Sequence, residues 1–496
     1  MIPINGSVTP LIPRRILVLG CGGVAQCTLP LLVRDVKIDP TSITVVDFLD
    51  NRDRIADLIA QGVKYEIGRV TPENLDEFLS ARLSDGDMLL DLAWNIDAPT
   101  ILTWCHENGV RYLNTSVELW DPYEDMAATH PLDRTLYVRH QSLRKMVEAW
   151  GGNSGPTAVL EHGANPGLVS HFVKQALSEI TSKILNEGLA GNRKAGLEEA
   201  LANGEFNKLA MLTGTKVIHI SERDTQISNK PKEVNEFVNT WSVDGFYEEG
   251  IAPAELGWGT HEKQLPPRGY KHDDDGPSNQ ICIAQPGMNT LVRSWVPCGE
   301  THGMVIRHGE AYTMCHHLTV RDENGVDIYR PTVHYAYCPS NDAIASVREL
   351  QMRDWEMQPK QRLLNDEIIS GRDELGVLLL GHDFTGWWTG SLLSIEEARS
   401  VLPHQSATTL QVAASIISAI QWMIDEPNKG LCVPDDLPHE YILEKARPYI
   451  GTQFSGPTDW TPLKTRKDIF NQWADHGDLL DPSDPWQFGN FLVGDA

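Results

Sequence analysis

The chain has 496 residues, of which 41% are hydrophobic and 22% charged. Its formal net charge of −26 argues against nucleic acid or an anionic membrane as a partner, because phosphate neutralisation needs a basic surface. No apolar stretch is long enough for a membrane span, and the N-terminus lacks the apolar core of a signal peptide, so we expect a cytoplasmic protein. The eight cysteines contain no C-x-x-C pair, which favours reduced thiols over a zinc site or a disulfide framework.

The first predicted element is a strand that ends in a glycine-rich turn. Four large aliphatic residues at 16–19 precede the pattern Gly20-x-Gly22-x-x-Ala25. In this dinucleotide fingerprint the first glycine permits a tight turn, and the second lets the backbone approach a pyrophosphate. A helix from about residue 22 to 32 follows, and its N-terminal N–H groups suit phosphates. The residues expected to contact the dinucleotide here are Gly20, Gly22, Gly23 and Val24.

The next predicted strand, residues 42–47, ends in an acid. Asp47 lies roughly 20 residues beyond the glycine turn, where the fingerprint places a carboxylate that binds the adenosine ribose. Asp47 therefore favours NAD over NADP. The alternative is a glycine turn that binds no nucleotide, with Asp47 capping the following segment. The order of strand, turn, helix, strand and acid favours the nucleotide.

Helix and strand patterns continue to alternate as far as residue 161. Further strands are predicted at 63–67, 88–92, 110–114 and 158–161, and helices at 54–61, 71–83, 97–108 and 136–149. This order is typical of an α/β fold with a Rossmann-like doubly wound parallel sheet, in which ligands bind at the carboxyl ends of the strands. The residues expected at those ends are Leu92, Ala93, Thr115, Ser116 and Glu118.

A segment rich in small residues, His162 to Gly167, follows the sixth predicted strand. Asn165 can cap a helix that has Pro166 at its first position, which would place the Asn165 side chain beside the nicotinamide. Ala164 is expected to contact the cofactor. Capping alone would also explain Asn165, and the sequence leaves these two explanations evenly balanced.

Alternating patterns from about residue 180 predict a second α+β domain built on a mixed sheet. Its strands are expected at 216–222, 290–295, 303–307 and 310–320. The acidic loop at 273–275 lacks the spacing of a calcium site. We predict no metal, because the histidines of this region form no compact ligand set. Those histidines are His302, His308, His316 and His317.

A C-terminal region from about residue 341 carries helices at 343–358 and 407–424 around a hairpin at 375–380 and 387–392. The helix at 409–423 is apolar nearly all round, which predicts burial in a core or at a subunit contact. We divide the chain into residues 1–180 for NAD binding, 181–340 for substrate binding and dimerisation, and 341–496, whose helices are expected to pack on both domains.

One segment, residues 239–250, combines aromatic and acidic side chains around a predicted turn. Trp241 with Glu222 and Glu249 could form a box for an alkylammonium, because an indole face attracts a cation and the carboxylates supply charge. The alternative is a core tryptophan with surface acids.

The sequence resembles the bacterial homospermidine synthases, within the wider saccharopine dehydrogenase-like group. The similar segments are the glycine turn at Gly20 and residues 114–118, 162–167, 239–250 and 307–311. The resemblance implies that Trp241, Glu222 and Glu249 hold a diamine, and that Glu118, Asn165 and His308 complete the site. It also implies a homodimer and putrescine, or related diamines and polyamines, as substrates.

The implied reaction is a redox-neutral aminobutyl transfer that joins two putrescine molecules and releases ammonia. Such a site needs a proton acceptor near the nicotinamide. The resemblance favours His308, with Glu222 and Asn165 as further catalytic candidates. Two alternatives remain open: a reductase of the saccharopine or carboxynorspermidine type, which would use arginines for its carboxylate substrates, and a non-catalytic NAD-binding sensor.

Overall fold

The computed structural model describes residues 11–120, 128–272, 280–466 and 481–493. These residues form two compact units. The first contains the described residues up to Ala128, Arg139–Leu168 and Glu396–Ile450, and the second contains Thr129–Val138, Val169–Ile395 and the described residues from Gly451 onward. This division differs from the expected boundaries at 180 and 340. The expected acidic loop at 273–275 lies outside the described residues.

The first unit is built on a seven-stranded sheet in which every neighbouring pair of strands is parallel. In spatial order the strands are Leu431–Cys432, Ala158–Val159, Arg111–Asn114, Met88–Asp91, Ile16–Leu19, Ile43–Asp47 and Lys64–Ile67. Helices within this unit are Gly23–Arg34, Ala56–Ala60, Leu75–Ser80, Ala98–Glu107, Ala407–Asp425 and His439–Ala446. The predicted Rossmann-like sheet is confirmed, and a seventh strand from the C-terminal region extends it.

Residues 396–450 belong to the first unit because their central helix supplies its core. Ala407–Asp425 packs against the helix Gly23–Arg34 that follows the glycine turn. Among the described residues it is the one helix long and apolar enough to cross a membrane, and 89% of its apolar stretch is buried inside the protein. Burial of a helix that is apolar all round removes most of its surface from water, which is the main favourable term in folding. The prediction that residues 409–423 are buried is confirmed.

The second unit is built on a ten-stranded mixed sheet. Its main path runs Gly269–Lys271, Gln280–Pro286, Pro253–Gly257, Thr332–Cys338, Val217–Asp224, Arg372–Leu380, Gly386–Ser394 and Thr452–Thr458. The strand Leu291–Val296 pairs with Gly299–Met304, which pairs in turn with Thr332–Cys338. The central pair, Thr332–Cys338 with Val217–Asp224, is parallel, and the other pairs of this sheet are antiparallel.

Short elements complete the description of the two units. Three small ribbons pair Val320–Arg321 with Asp327–Tyr329, Glu236–Asn239 with Lys360–Leu363, and Ile227–Ser228 with Ile368–Ser370. Helices within the second unit are Lys194–Asn203, Phe206–Thr213, Val243–Ile251, Glu310–His317 and Asn341–Met352. The helices at the division points of the two units are Leu136–Ala149, Leu168–Asn186 and Ile395–Val401.

The predicted strand at 310–320 is wrong, because Glu310–His317 is a helix. Six of its residues, Glu310 to Cys315, are buried, so its sequence lacks the polar stripe that marks an amphipathic helix. A Cβ atom built on Gly257 would lie 2.3 Å from the Ala311 carbonyl oxygen. A glycine at 257 therefore lets the helix lie directly on the strand Pro253–Gly257.

Candidate active site

The glycine turn of the first unit has the shape that a dinucleotide requires. Gly20 has a φ of +86°, and a Cβ atom there would lie 2.7 Å from the Leu92 carbonyl oxygen. A Cβ atom on Gly22 would meet no atom within 4 Å, so the space beside that backbone is open to a ligand. Gly22 precedes the helix Gly23–Arg34, which has no side-chain hydrogen bond at its N-terminus. These residues fit a pyrophosphate bound at a helix N-terminus.

Asp47 is joined to the glycine turn through its carboxylate. The backbone N–H of Cys21 donates to Asp47 Oδ2 at 2.6 Å, and that of Leu49 donates to Oδ1 at 2.8 Å. Asp47 ends its strand and is 9% exposed. The carboxylate therefore fixes the turn, and each of its oxygens keeps lone-pair capacity for a further donor such as a ribose hydroxyl.

Hydrogen bonds organise the carboxyl ends of the central strands. The Asn114 amide donates to the Tyr112 hydroxyl at 3.1 Å, and that hydroxyl donates to Asp91 Oδ2 at 2.9 Å. Burial raises the pKa of Asp91 to about 6. Asn114 Oδ1 also accepts the backbone N–H of Glu161 at 2.8 Å. These bonds tie the edge of the sheet to the segment at 161–167.

The expected contact residues Thr115, Ser116 and Glu118 follow this edge directly. Ser116 Oγ donates to Glu118 Oε1 at 2.7 Å, and Glu118 is 8% exposed. Thr115 lies against the 161–167 segment, because a Cβ atom on Gly163 would be 3.6 Å from the Thr115 Cβ. The predicted residues of the first unit therefore lie along one edge of its sheet.

Asn165 does not cap a helix as predicted. The helix begins at Leu168, and Asn165 and Pro166 lie in a turn joined by a cis peptide bond. Gly163 closes this turn, since its N–H donates to the Pro166 carbonyl oxygen at 2.7 Å and its carbonyl accepts the Leu168 N–H at 3.0 Å. Ala164, also expected at the cofactor, lies in the same turn. The Asn165 side chain thus belongs to a turn at the sheet edge.

In the second unit, Glu222 is part of a buried carboxylate–tyrosine pair. Glu222 is 2% exposed on the strand Val217–Asp224, and its carboxylate accepts a hydrogen bond from the Tyr335 hydroxyl. Burial and the Glu222 charge raise the pKa of Tyr335. Tyr335 therefore stays protonated and holds the carboxylate in place, while the second carboxylate oxygen can accept from an ammonium.

Trp241 reaches the same cluster through Tyr337. Its indole N–H donates to the Tyr337 hydroxyl at 3.2 Å, and the Tyr335 and Tyr337 rings are stacked with centroids 5.3 Å apart. The indole is half-buried. The predicted turn at 239–250 is wrong in part, because Ser242 caps a helix, Val243–Ile251, by accepting the Gly245 N–H at 3.0 Å.

His308 and Glu249 lie on the other side of Tyr335. The His308 ring packs edge-on against the Tyr335 ring with centroids 4.3 Å apart, and its Nε2 lies 3.5 Å from Glu249 Oε2. His308 is 4% exposed. An imidazole beside a carboxylate, at the end of a tyrosine pair, can accept and return a proton.

Arg307, next to His308, is engaged by other groups. Its guanidinium binds Glu248 Oε1 at 2.5 Å and donates to the Arg134 carbonyl oxygen at 3.1 Å. Arg307 lies outside the strands, so the predicted strand at 303–307 is wrong at its end, since the observed strand ends at Met304. Because Glu248 neutralises it, Arg307 adds no free positive charge beside His308.

Two aspartates add negative charge to the Glu222 face. Asp224 shares this face by strand alternation and accepts the Thr240 hydroxyl at 2.7 Å. Burial raises the pKa of Asp224 to about 6. Asp373 is fully buried on the neighbouring strand, in register with Asp224. Burial raises the pKa of Tyr337, and the charges of Glu222, Asp224 and Asp373 raise it further.

The second unit thus unites four predicted residues, Trp241, Glu222, Glu249 and His308, through Tyr335 and Tyr337. The first unit holds the predicted dinucleotide residues together with Glu118 and Asn165. Sequence reasoning missed the two tyrosines, Asp224 and Asp373. The alternation of Val333, Tyr335 and Tyr337 on one face of a strand was a signal for the tyrosines, and the two-residue spacing from Glu222 was one for Asp224.

Within the described ranges, no group of three or more histidine, cysteine or carboxylate side chains is placed to hold a metal ion. His316 and His317 lie at the C-terminal end of the helix Glu310–His317.

Comparison with known proteins places these sites in a family. Residues 16–159 match the family model of the saccharopine dehydrogenase NADP binding domain, and residues 163–452 match that of the saccharopine dehydrogenase C-terminal domain. The homospermidine synthase of Mesorhizobium japonicum is 38% identical over 99% of this chain and 98% of its own, and that of Blastochloris viridis is 41% identical over 97% of each. A crystal structure of the Legionella pneumophila homospermidine synthase in complex with NAD superposes with a TM-score of 0.83 at 38% identity, covering 97% of this chain and 98% of that one.

Proposed function

This chain belongs to the homospermidine synthase family, and from that premise we propose that it transfers an aminobutyl group between two putrescine molecules, giving homospermidine and ammonia. The observation that carries the proposal is the buried cluster in which Glu222, Trp241 and His308 are linked through Tyr335 and Tyr337. It offers a diamine two kinds of cation partner, a carboxylate and an indole face, together with a proton acceptor.

NAD is the proposed cofactor. It supplies the redox chemistry by taking a hydride from the carbon bearing one putrescine amine and returning it after the second putrescine has displaced ammonia. The open space beside Gly22 and the helix N-terminus behind it support pyrophosphate binding. The buried Asp47 carboxylate supports NAD over NADP, because it would repel a 2′-phosphate. NAD is also the dinucleotide in the Legionella structure.

The site residues have two proposed roles, binding of the distal ammonium and transfer of the proton. We assign the distal ammonium to Glu222 and the Trp241 face, since taking an ammonium out of water is costly unless several groups compensate. Glu249 holds His308, which accepts the proton that the reacting amine must lose. Glu118 and Asn165 are assigned to substrate binding, and Asn165 also to the catalytic group. Leu92, Ala93, Thr115, Ser116 and Ala164 are assigned to the cofactor.

The arginines argue against a reductase that joins an amine to a carboxylate-bearing carbonyl compound. Such a substrate needs free guanidinium groups beside the reacting carbon. Arg307 is engaged by Glu248, and Arg223 follows Glu222 along a strand and so projects from the opposite face. The Glu222 face carries carboxylates instead, which suits a diamine.

A turnover assay tests the proposal. The protein is incubated with putrescine and substoichiometric NAD⁺, and triamine, ammonia and NADH are measured over many turnovers. We expect equal amounts of triamine and ammonia in large excess over the cofactor, with no accumulating NADH. Formation of one NADH for each putrescine consumed, or no triamine, would contradict the proposal.

A homodimer is the proposed assembly, and its support is family membership. Light scattering on the purified protein tests it: a mass twice the 55.3 kDa of one chain is expected, and a monomer at working concentrations would contradict it.

A further inference from the structure

A cavity of about 570 Å³ opens on the other face of the strand that carries Glu222. It lies within the second unit, between the strands Leu291–Val296 and Gly299–Met304 and the helix Asn341–Met352. Apolar side chains line part of it, and three arginines are also present: Arg223, Arg293 and Arg348. The residues of the proposed diamine site, Trp241, Glu222, Glu249 and His308, do not line this cavity.

The three guanidinium groups differ in how they are neutralised. Arg293 binds Glu300 at 3.1 Å, and Glu300 also accepts the Trp460 indole N–H at 2.8 Å, so this pair is satisfied. Within the part of the chain that the structure describes, the side chains of Arg223 and Arg348 make no hydrogen bond or ion pair. Arg348 is exposed on its helix, and Arg223 lies in register with the buried Glu374 of the neighbouring strand, so the cavity holds two guanidinium groups whose donors no described side chain takes.

These two guanidinium groups line the same cavity. Acidic residues outnumber basic ones by 68 to 42, so carboxylate partners are abundant. Two unpaired like charges in one cavity repel each other and add nothing to folding stability. A guanidinium presents a planar fork of donors that matches a carboxylate or a phosphate. Guanidinium groups without a side-chain partner, in a cavity of this size that is lined in part by apolar side chains, are typical of a ligand site.

We propose that this cavity binds a small organic anion with two negative charges. Arg223 and Arg348 take its phosphate or carboxylate groups, and its apolar body lies against Leu291, Met304 and Ile344. The diamine substrate is cationic and is repelled by the same groups, so this site is distinct from the diamine site and goes beyond the proposed function.

Calorimetric titration of the NAD-saturated protein with phenyl phosphate tests the site. Saturation with NAD keeps the dinucleotide site filled, and the titration needs no turnover, so its outcome is independent of the proposed reaction. We expect one phenyl phosphate bound per chain. R223Q and R348Q should each weaken binding about tenfold or more, because each removes a charge-assisted hydrogen bond. R447Q, which changes an exposed arginine of the first unit, is the matched control and should bind as the parent does.

Further ligands separate the contributions to binding. Phenylsuccinate tests whether carboxylates replace phosphate, and binding of either aromatic anion supports the site. Phenol and inorganic phosphate should each bind more weakly than phenyl phosphate, since each lacks one half of the recognition. Equal binding by either one would overturn the proposal.

The stability of the variants distinguishes a ligand site from a structural one. R223Q and R348Q should melt at or above the temperature of the parent, because each relieves repulsion and breaks no bond. No binding of either aromatic anion by the parent, unchanged binding by both variants, or a clear drop in both melting temperatures would overturn the proposal.

Discussion

The two faces of one strand, Val217–Asp224, carry opposite charges one residue apart. On one face Glu222 and Asp224 are buried and accept hydroxyl donors from Tyr335 and Thr240. On the other, Arg223 reaches a cavity and has no partner among the described residues. Strand alternation places these groups on opposite faces of the sheet, and the Arg223 face also carries the buried Glu374, which lies in register with Arg223. A face whose carboxylates are already held is organised for a cation, whereas a face with free guanidinium groups is organised for an anion.

Removing the charge of Glu222 is the change from which we expect the largest effect on turnover. We expect E222Q to lower kcat/KM for putrescine about a hundredfold, because a buried ammonium would lose its charged partner at a cost of about 3 kcal/mol. Steady-state kinetics measure the loss.

E262Q is the matched control for E222Q. Glu262 also accepts a hydroxyl from the same neighbouring strand, since Thr332 Oγ1 donates to it at 2.7 Å, but it contacts Phe488 rather than the tyrosine pair. The E262Q protein should keep the kcat/KM of the parent for putrescine. Equal losses in the two variants would show that any buried carboxylate bonded to the strand Thr332–Cys338 is needed for folding, and would contradict the assignment of Glu222.

Trp241 tests whether the aromatic part of the same face contributes attraction to the cation. An indole face in a desolvated pocket is worth about 2 kcal/mol, so W241A should lower kcat/KM about thirtyfold and W241F should fall between W241A and the parent. Cofactor affinity should change little. Kinetics and melting temperature are measured on the same preparations.

W258F provides the comparison for Trp241. Trp258 is a core residue of the second unit, 8% exposed with its ring against Phe488. The W258F protein should therefore be less stable than the parent, with normal turnover per folded molecule. A W241A protein with that same behaviour would remove Trp241 from the substrate site.

Local sequence patterns predicted the first unit better than the second. Buried parallel strands read as continuous apolar runs, and the glycine turn followed one of them, so the sheet and the Gly20 and Asp47 positions were predictable. Asn165 was misplaced because its turn is closed by Gly163, a contact that a capping pattern does not contain. The helix Glu310–His317 was missed because burial on all sides removes the periodicity that distinguishes it from a strand.

The residues suggested a box of Trp241, Glu222 and Glu249, and the family resemblance added His308 to it. Trp241 and Glu249 share one segment, but Glu222 and His308 come from two others, and no local pattern predicts that the three segments meet. The cavity around Arg223 was not foreseen, because its lining residues span positions 223–351 and converge only through strand pairing.

Asp47 is a buried carboxylate that accepts hydrogen bonds from backbone N–H groups, whereas Glu222 and Asp224 accept hydrogen bonds from hydroxyls. We expect D47N to weaken NAD binding about tenfold and to narrow the preference for NAD over NADP, because the amide cannot repel a 2′-phosphate. Binding constants for both dinucleotides measure the effect. D57N, an exposed change on the neighbouring helix, is the control. Equal affinity of the parent protein for NAD and NADP would remove Asp47 from this role.

The smallest expected effect is that of Asp224 on the way in which the protein's thermal stability depends on pH. Burial raises its pKa to about 6 in the folded protein, above its ordinary value of 3.8. The stability contributed by this shift is fully present below about pH 4 and is lost as the pH rises through about 6. D224N keeps an acceptor for Thr240 but loses the oxygen that accepts the two Gln226 donors, a loss that does not depend on pH. The melting temperature of D224N relative to that of the parent should therefore rise by about 2 °C between pH 4 and neutral pH, and a difference that is constant with pH would contradict the assignment.

The fate of the transferred hydrogen tests the central claim, redox-neutral transfer with a retained cofactor, most directly. Putrescine deuterated at the carbons next to both nitrogens is converted with a catalytic amount of NAD⁺ in the presence of added unlabelled NADH, and the triamine is analysed by mass spectrometry. A hydride that leaves one putrescine and returns within the same turnover gives a product that keeps its full deuterium content. A product in which one deuterium has been replaced by hydrogen from the dissolved NADH would contradict the account.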